Sequence, residues 1–341
     1  MTTLFGVLLV TAAGLFMGSV GWPIKFMRRF RFEQFWFVAM LLGLFVVPWT
    51  VTLLFCPDAI SGYFSIDPSL IVKSNLFALG WGIANVLWVM SMVRIGSALS
   101  LAVLTGLGVA VGVTMPMIFK GTGLFSASPD WGSPAGNTIL LGVLVVIAGV
   151  LMVSAAGFGR DKALAKKEEK SGGFLGGLIM CAVAGMLSAG LALSFVYSQG
   201  PIVSAMKARG AGDLPATLAV WSVGLFSGML VNLIYPAYVM TKNKTWRVFK
   251  EGGIDYLLAV VIGTHFILAV VFMGWGMLTL GALGASVGFG IQQAMQILGG
   301  QIVGFLEGEW KGVYGAPRKL MFGSLAVLII AMVILAYSNT L

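Results

Sequence analysis

Charge is what this chain has least of. Only 10% of its 341 residues are Asp, Glu, Lys or Arg, against 59% hydrophobic ones, whereas soluble domains carry roughly 25% charged residues. A water-soluble fold is excluded. Cysteine is nearly absent: Cys56 and Cys181 lie within or at the end of apolar runs, which gives no support to a disulfide framework or a thiolate metal site. The chain also lacks a phosphate-binding glycine loop ending in Lys and Ser/Thr, an HExxH pair and a G-x-S-x-G turn. An ATP-driven pump needs the first, and no catalytic engine takes its place, so the chain is not expected to be an enzyme or to hold a cofactor or metal. The start carries no side-chain charge before Lys25 and no small-residue cleavage signal, so the first apolar run is expected to be a retained span.

What is present is apolar sequence in span-sized pieces. A membrane helix needs roughly 20 apolar residues, and reading for stretches free of Asp, Glu, Lys and Arg places spans at approximately 4–24, 34–56, 74–93, 96–119, 137–157, 174–199, 215–241, 255–279, 282–306 and 319–339, with Asp255 and Lys319 at the edges of two of them. The division of the long uncharged stretch near 280–284 rests on Leu280, Gly281 and Gly284. Forty-seven glycines and ten tryptophans suit close helix packing and interfacial anchoring. The net charge of +9 is dispersed between these segments, which argues for membrane orientation and against nucleic-acid binding. Seventeen of the 21 basic residues fall in alternate connections, from Lys25 to Arg31, at Arg94, from Arg160 to Lys170, from Lys242 to Lys250 and from Lys311 to Lys319. Basic residues stay cytoplasmic, so both termini are expected outside, on the periplasmic face of a bacterial inner membrane.

The polar stretch 158–173 divides the chain into 1–157 and 174–341, with five segments in each. It reads as a basic cytoplasmic linker. Gly6, Ala13 and Gly14 align with Gly177, Ala184 and Gly185 at one offset, and Met92 and Gly96 with Met277 and Gly281 at a slightly larger one. Because five is odd, the second copy of such a duplication lies inverted in the membrane, as in secondary transporters. The expected fold is an all-α polytopic membrane protein of ten transmembrane helices built as two inverted five-helix repeats.

With no nucleotide-driven engine, function rests on polar groups inside the spans. Trp81, Asn85, Trp88 and Met92 share one helix face. Two indoles flanking an amide suit a sugar ring, whose C–H faces are apolar and whose edges need donors and acceptors. Gln292, Gln293 and Gln296 share an arc with Gly288, Phe289, Gly299 and Gly300. Amides left toward lipid cost several kcal/mol, so these face protein or a water-filled cavity. His265, alone at the middle of its span, is the candidate for proton coupling. Trp221 and Asn232 share a face in one span, and Ser188 and Gln199 in another. Thr105, Gly108 and Gly112 form a small-residue stripe suited to helix contact.

Specific runs resemble a known family. Pro23 and Lys25, Phe32-Glu33-Gln34-Phe35-Trp36, Pro48-Trp49, Trp81-Gly82-Ile83-Ala84-Asn85, Ser188-Ala189-Gly190, Gly200-Pro201, Asn232, Gly274-Trp275-Gly276, Gly299 through Gly304 and Glu309-Trp310 look, in order, like the L-rhamnose/proton symporter (RhaT) family of the drug/metabolite transporter superfamily. The resemblance implies a sugar symporter in which Trp81, Asn85, Trp88, Asn232, Trp275, Gln292, Gln293 and Gln296 bind substrate and His265 exchanges the proton. The expected partners are a small sugar or polar metabolite, a proton and the lipid bilayer. The family pattern is richer in Tyr, Trp and ionisable groups than 281–294 and 265–273 are here, which leaves a sugar acid or another polar metabolite as alternative substrates and sodium as an alternative ion. An exporter of amphipathic compounds, or a sensor or assembly subunit that moves nothing, are the alternative functions.

Overall fold

The structure, a computed structural model, describes residues 2–341 except 96, 119–128, 164–173, 282–283, 307, 309 and 339. Among the sequence features singled out above, Gly96, Lys166, Lys167, Lys170 and Glu309 lie outside the described residues. The described residues are helical and form no strand. In order come α1 (Thr2–Ser19), α2 (Phe32–Met40), α3 (Val47–Phe55), α4 (Ala59–Phe64), α5 (Pro68–Ile95), α6 (Ser97–Ile118), α7 (Pro134–Ala163), α8 (Phe174–Ser188), α9 (Gly190–Lys207), α10 (Asp213–Gly224), α11 (Phe226–Asn243), α12 (Ile254–Thr279), α13 (Phe289–Leu306) and α14 (Ala316–Ser338).

Among the described residues, seven helical stretches are long and apolar enough to cross a membrane: Thr3–Phe26, Phe32–Phe55, Pro68–Trp88, Pro134–Arg160, Gly176–Lys207, Ile254–Thr279 and Ala316–Ser338. The bent pair α10 and α11 makes an eighth if taken as one span. The two remaining segments expected from sequence coincide with α6, whose described apolar stretch is only Val103–Gly112, and with α13, where Gln292, Gln293, Gln296 and Gln301 dilute the apolar character. The split near 280 is present, since α12 ends at Thr279 and Gly281 turns the chain with φ +62°.

Several spans are irregular, and each irregularity has a local cause. Pro48 has no N–H for the carbonyl four residues back, and the backbone widens into a π-helical stretch at Leu41–Val46, in which Val47 N–H reaches Leu42 O. Between α10 and α11 the chain bends by 60°, so Trp221 and Asn232 do not share one straight helix face. The backbone groups freed there are met from neighbouring helices. Asn75 of α5 donates to Val223 O (2.9 Å) and accepts from Ser227 N (2.9 Å), while Ser74 and Ser194 donate to Gly224 O at 2.8 and 3.0 Å. Broken helices are tolerated in a membrane on this condition.

Packing interleaves the two halves of the chain. α1 lies against α12 and α13, α8 against α5 and α6, and α7 runs along α14. α5 crosses α11 where a Cβ on Gly82 would lie 2.9 Å from Gly228 O, and α12 crosses the α2–α3 span where a Cβ on Gly43 would lie 3.0 Å from Gly263 O. Only glycine permits backbones this close.

At one end of the bundle Asp255, fully buried in the first turn of α12, gathers the connection between α1 and α2. Its carboxylate accepts the backbone N–H groups of Arg28 (3.1 Å), Arg29 (2.6 Å) and Phe30 (2.8 Å), a set favoured further by the positive end of the helix dipole. Phe30 then packs edge-on against Phe249 and Tyr256 at 5.5 and 4.9 Å. Replacing Asp255 by Ala strands these donors and should destabilise the protein by on the order of 3 kcal/mol, with Asp255→Asn milder. Thermal unfolding in detergent measures this, and an unchanged midpoint for Asp255→Ala would contradict the clasp.

Candidate functional site

The polar groups inside the bundle collect in two places. The first lies where α2, α5 and α11 meet. Asn232, 1% exposed, donates through Nδ2 to Gly228 O one turn back (2.9 Å), and its Oδ1 accepts both Trp36 Nε1 (3.0 Å) and Asn85 Nδ2 (3.3 Å). Trp81, one turn along α5 from Asn85, is 5% exposed and lies so close to α11 that a Cβ on Gly228 would be 2.8 Å from its ring. On its other side the indole meets the ring of Phe266 on α12 at 6.1 Å. Trp88, one turn further along α5, has a buried Nε1 with no hydrogen-bond partner.

The second place is the face of α13. Gln292 (2% exposed) donates through Nε2 to Gln296 Oε1 at 3.2 Å, while its own Oε1 is sealed and unpartnered. Gln293, 8% exposed, brings Nε2 to 3.3 Å from where a Cβ on Gly108 of α6 would stand, and Ser188 Oγ of α8 abuts the same glycine. The small-residue stripe of α6 is thus a helix contact, as its composition suggested. Thr105, on that stripe, also has a buried and unpartnered Oγ1. Buried polar atoms without partners are rare in folded proteins. Among the described residues six such atoms occur: Gln292 Oε1, Thr105 Oγ1 and the indole N–H groups of Trp49, Trp88, Trp221 and Trp310.

The sequence-based candidates do not all converge. Asn85, Asn232 and Trp81 are brought together. Among the described residues no hydrogen bond or ring contact joins them to Gln292, Gln293 or Gln296. Trp275 stands nine residues beyond Phe266, about 14 Å along α12, and packs edge-on against the exposed Phe5 at 5.5 Å, at the periphery. His265 is half-buried, with Nδ1 2.9 Å from Val261 O and its ring 5.8 Å from Phe16 of α1. A carbonyl only accepts, so Nδ1 carries the proton and Nε2 is the open position. His265 is turned about 100° around α12 from Phe266.

Trp36 and Glu33 had no role legible in the sequence, and Gln199, marked there for a face shared with Ser188, takes a structural one. Trp36 stood in a family-like run without a role. Gln199, 3% exposed, ties α9 to α12 through Gly274 O at 2.6 Å. Glu33, at the start of α2, is a buried carboxylate that accepts Thr245 Oγ1 at 3.2 Å. A cavity of about 620 Å³ lies elsewhere, at the end of α3 and around α4, lined by Leu53, Cys56, Asp58, Ala59, Ile60, Ser61 and Phe64. None of the candidate residues borders it. Beside it, Tyr63 donates to Ala219 O at 2.7 Å, and burial pushes its hydroxyl up to about 12, so it remains a donor.

These features define the class: a multi-pass helical membrane protein whose amides and indoles are held between helices. The comparisons narrow it. The family model described as L-rhamnose-proton symport protein (RhaT) matches residues 2–339, and the chain belongs to that family. It is 27% identical over 320 residues to the L-rhamnose-proton symporter of Pectobacterium atrosepticum, covering 92% of this chain and 91% of that protein. The L-rhamnose-proton symporters of Yersinia pestis and Yersinia pseudotuberculosis are 26% identical over the same shares.

A binding role for Gln292 has a signature in stability. Gln292→Leu removes a buried, unpaired carbonyl at the loss of one amide contact typically worth about 0.6 kcal/mol, so the ligand-free protein should melt at the same temperature or slightly higher while sugar-induced stabilisation weakens. A marked drop in the ligand-free midpoint would make Gln292 a structural residue only.

Proposed function

We propose that the protein is a secondary carrier that imports L-rhamnose, or a closely related sugar, together with protons across the bacterial inner membrane. The observation that carries this reading is the family match over residues 2–339, supported by relatives named L-rhamnose-proton symporter that align over 92% of the chain.

The proposed architecture is ten spans in two inverted repeats, 1–157 and 174–341, joined by the basic cytoplasmic linker and placed in the drug/metabolite transporter superfamily. The packing agrees with it. Under such a repeat α1 corresponds to the α8–α9 span, the α2–α3 span to α10–α11, α5 to α12, α6 to α13 and α7 to α14. The contacts of α1 with α12 and α13 then mirror those of α8 with α5 and α6, and α7 pairs with its own counterpart α14. The Gly82–Gly228 crossing mirrors that of Gly43 with Gly263. Each of the two groups, α1/α12/α13 and α5/α6/α8, draws helices from both halves, and rocking one against the other opens a midplane site to each side in turn.

In this reading the sugar lies between the groups, against Trp81, Asn85 and Trp88 on one side and Gln292, Gln293 and Gln296 on the other. His265 accepts the transported proton on Nε2. Both termini face the periplasm, as the basic residues indicate.

Uptake of labelled L-rhamnose into proteoliposomes tests the function. Accumulation above equilibrium is expected with acid outside, and equilibration alone without the gradient. Absence of saturable uptake in both conditions would overturn the sugar assignment. His265→Gln should abolish accumulation and leave sugar exchange intact, and accumulation at the wild-type level would remove the histidine from the proton path.

A further inference from the structure

We infer that Trp36 and Asn232 are positioning residues that fix the side chain of Asn85, and that Asn85 alone of the three touches substrate. The inference rests on the carrier reading above and reassigns Asn232 within it.

The argument is one of hydrogen-bond satisfaction. The amide of Asn232 cannot be turned over, because Gly228 O accepts and so requires Nδ2 beside it at 2.9 Å. Gly228 is itself fixed by its close crossing with α5 at Gly82. The carbonyl Oδ1 of Asn232 must therefore point the other way, where it already receives Trp36 Nε1 at 3.0 Å and Asn85 Nδ2 at 3.3 Å. Two donors occupy its two lone pairs. Asn232, 1% exposed, has no acceptor left for a ligand.

Asn85 differs. Because Asn232 Oδ1 accepts only a donor, Asn85 is held with Nδ2 toward α11 and Oδ1 turned away. That Oδ1 has no hydrogen bond among the described residues, and Asn85 is only half-buried. The network thus presents an acceptor, plus one remaining N–H, beside the ring of Trp81. A ligand meeting that acceptor must donate, which suits a neutral hydroxyl and opposes a carboxylate, whose oxygens would face a carbonyl of like partial charge. Trp36 contributes by sharing Asn232 Oδ1: its indole N–H holds the acceptor in place from α2, 196 residues away in the chain. Trp36 stacks on Phe32 at 5.8 Å, so its ring packing survives replacement by Phe while its N–H does not.

The test is a double-mutant cycle in proteoliposomes with labelled L-rhamnose, using Trp36→Phe, Asn232→Leu, Asn85→Ala and the pair Trp36→Phe/Asn85→Ala. Trp36→Phe should raise KM by about three- to tenfold with the maximal rate retained, the size of one hydrogen bond. Asn85→Ala should raise KM at least as much, and adding Trp36→Phe to it should change KM no further, since Trp36 acts through Asn85. Additive effects in the pair, or a Trp36→Phe variant that loses rate at unchanged KM, would overturn the inference and leave the carrier reading standing. Should the wild type take up no rhamnose, the carrier reading falls, and the hydrogen-bond network is decided by the indole ¹H–¹⁵N resonance of Trp36, assigned by its loss in Trp36→Phe. That resonance should move upfield in Asn232→Leu, and an unmoved signal would overturn the arrangement.

Discussion

In hydrocarbon there is no water to satisfy a stray donor or acceptor, and this structure depends on that constraint throughout. At the α10–α11 bend and the α1–α2 connection, where the chain departs from a plain apolar helix, it brings the partner with it. The bend between α10 and α11 exists beside Asn75, Ser74 and Ser194, whose side chains take up Val223 O, Ser227 N and Gly224 O. The connection from α1 to α2 turns on the Asp255 carboxylate. Asn232 is accounted for atom by atom by Gly228, Trp36 and Asn85. Against this pairing, the buried atoms without a partner among the described residues are Gln292 Oε1, Thr105 Oγ1 and the indole N–H groups of Trp49, Trp88, Trp221 and Trp310.

The same constraint explains what could be read in the sequence. Uncharged runs of span length marked helices because charge is expelled from hydrocarbon, and Gly281 marked the turn after α12 because it adopts a positive φ there. The amides of α13 were recognisable as an inward face by their spacing alone. Partnership was not legible. Asn85 and Asn232 are 147 residues apart and Arg28 and Asp255 227 apart, and nothing local in either segment names the other. Asp255 carried no signal beyond its place at the edge of an apolar run, and Trp36 none beyond its family-like run. Trp275, chosen from a family-like tripeptide, proved to pack at the periphery on Phe5, because a motif fixes identity along the chain and not the direction a side chain takes from its helix.

Family membership and geometry meet at the centre of the bundle. Trp81 spans the gap between α11, through Gly228, and α12, through Phe266, so it links α5 to α12. A ligand bound beside Trp81 and Asn85 would feel any relative motion of those two helices.

The central claim is that sugar and proton cross together. The most direct measurement is the pH of a weakly buffered suspension of proteoliposomes on addition of L-rhamnose without any imposed gradient. Symport predicts transient alkalinisation of the medium, absent with a non-transported sugar and abolished by a protonophore. Saturable rhamnose uptake with no pH change would contradict the account.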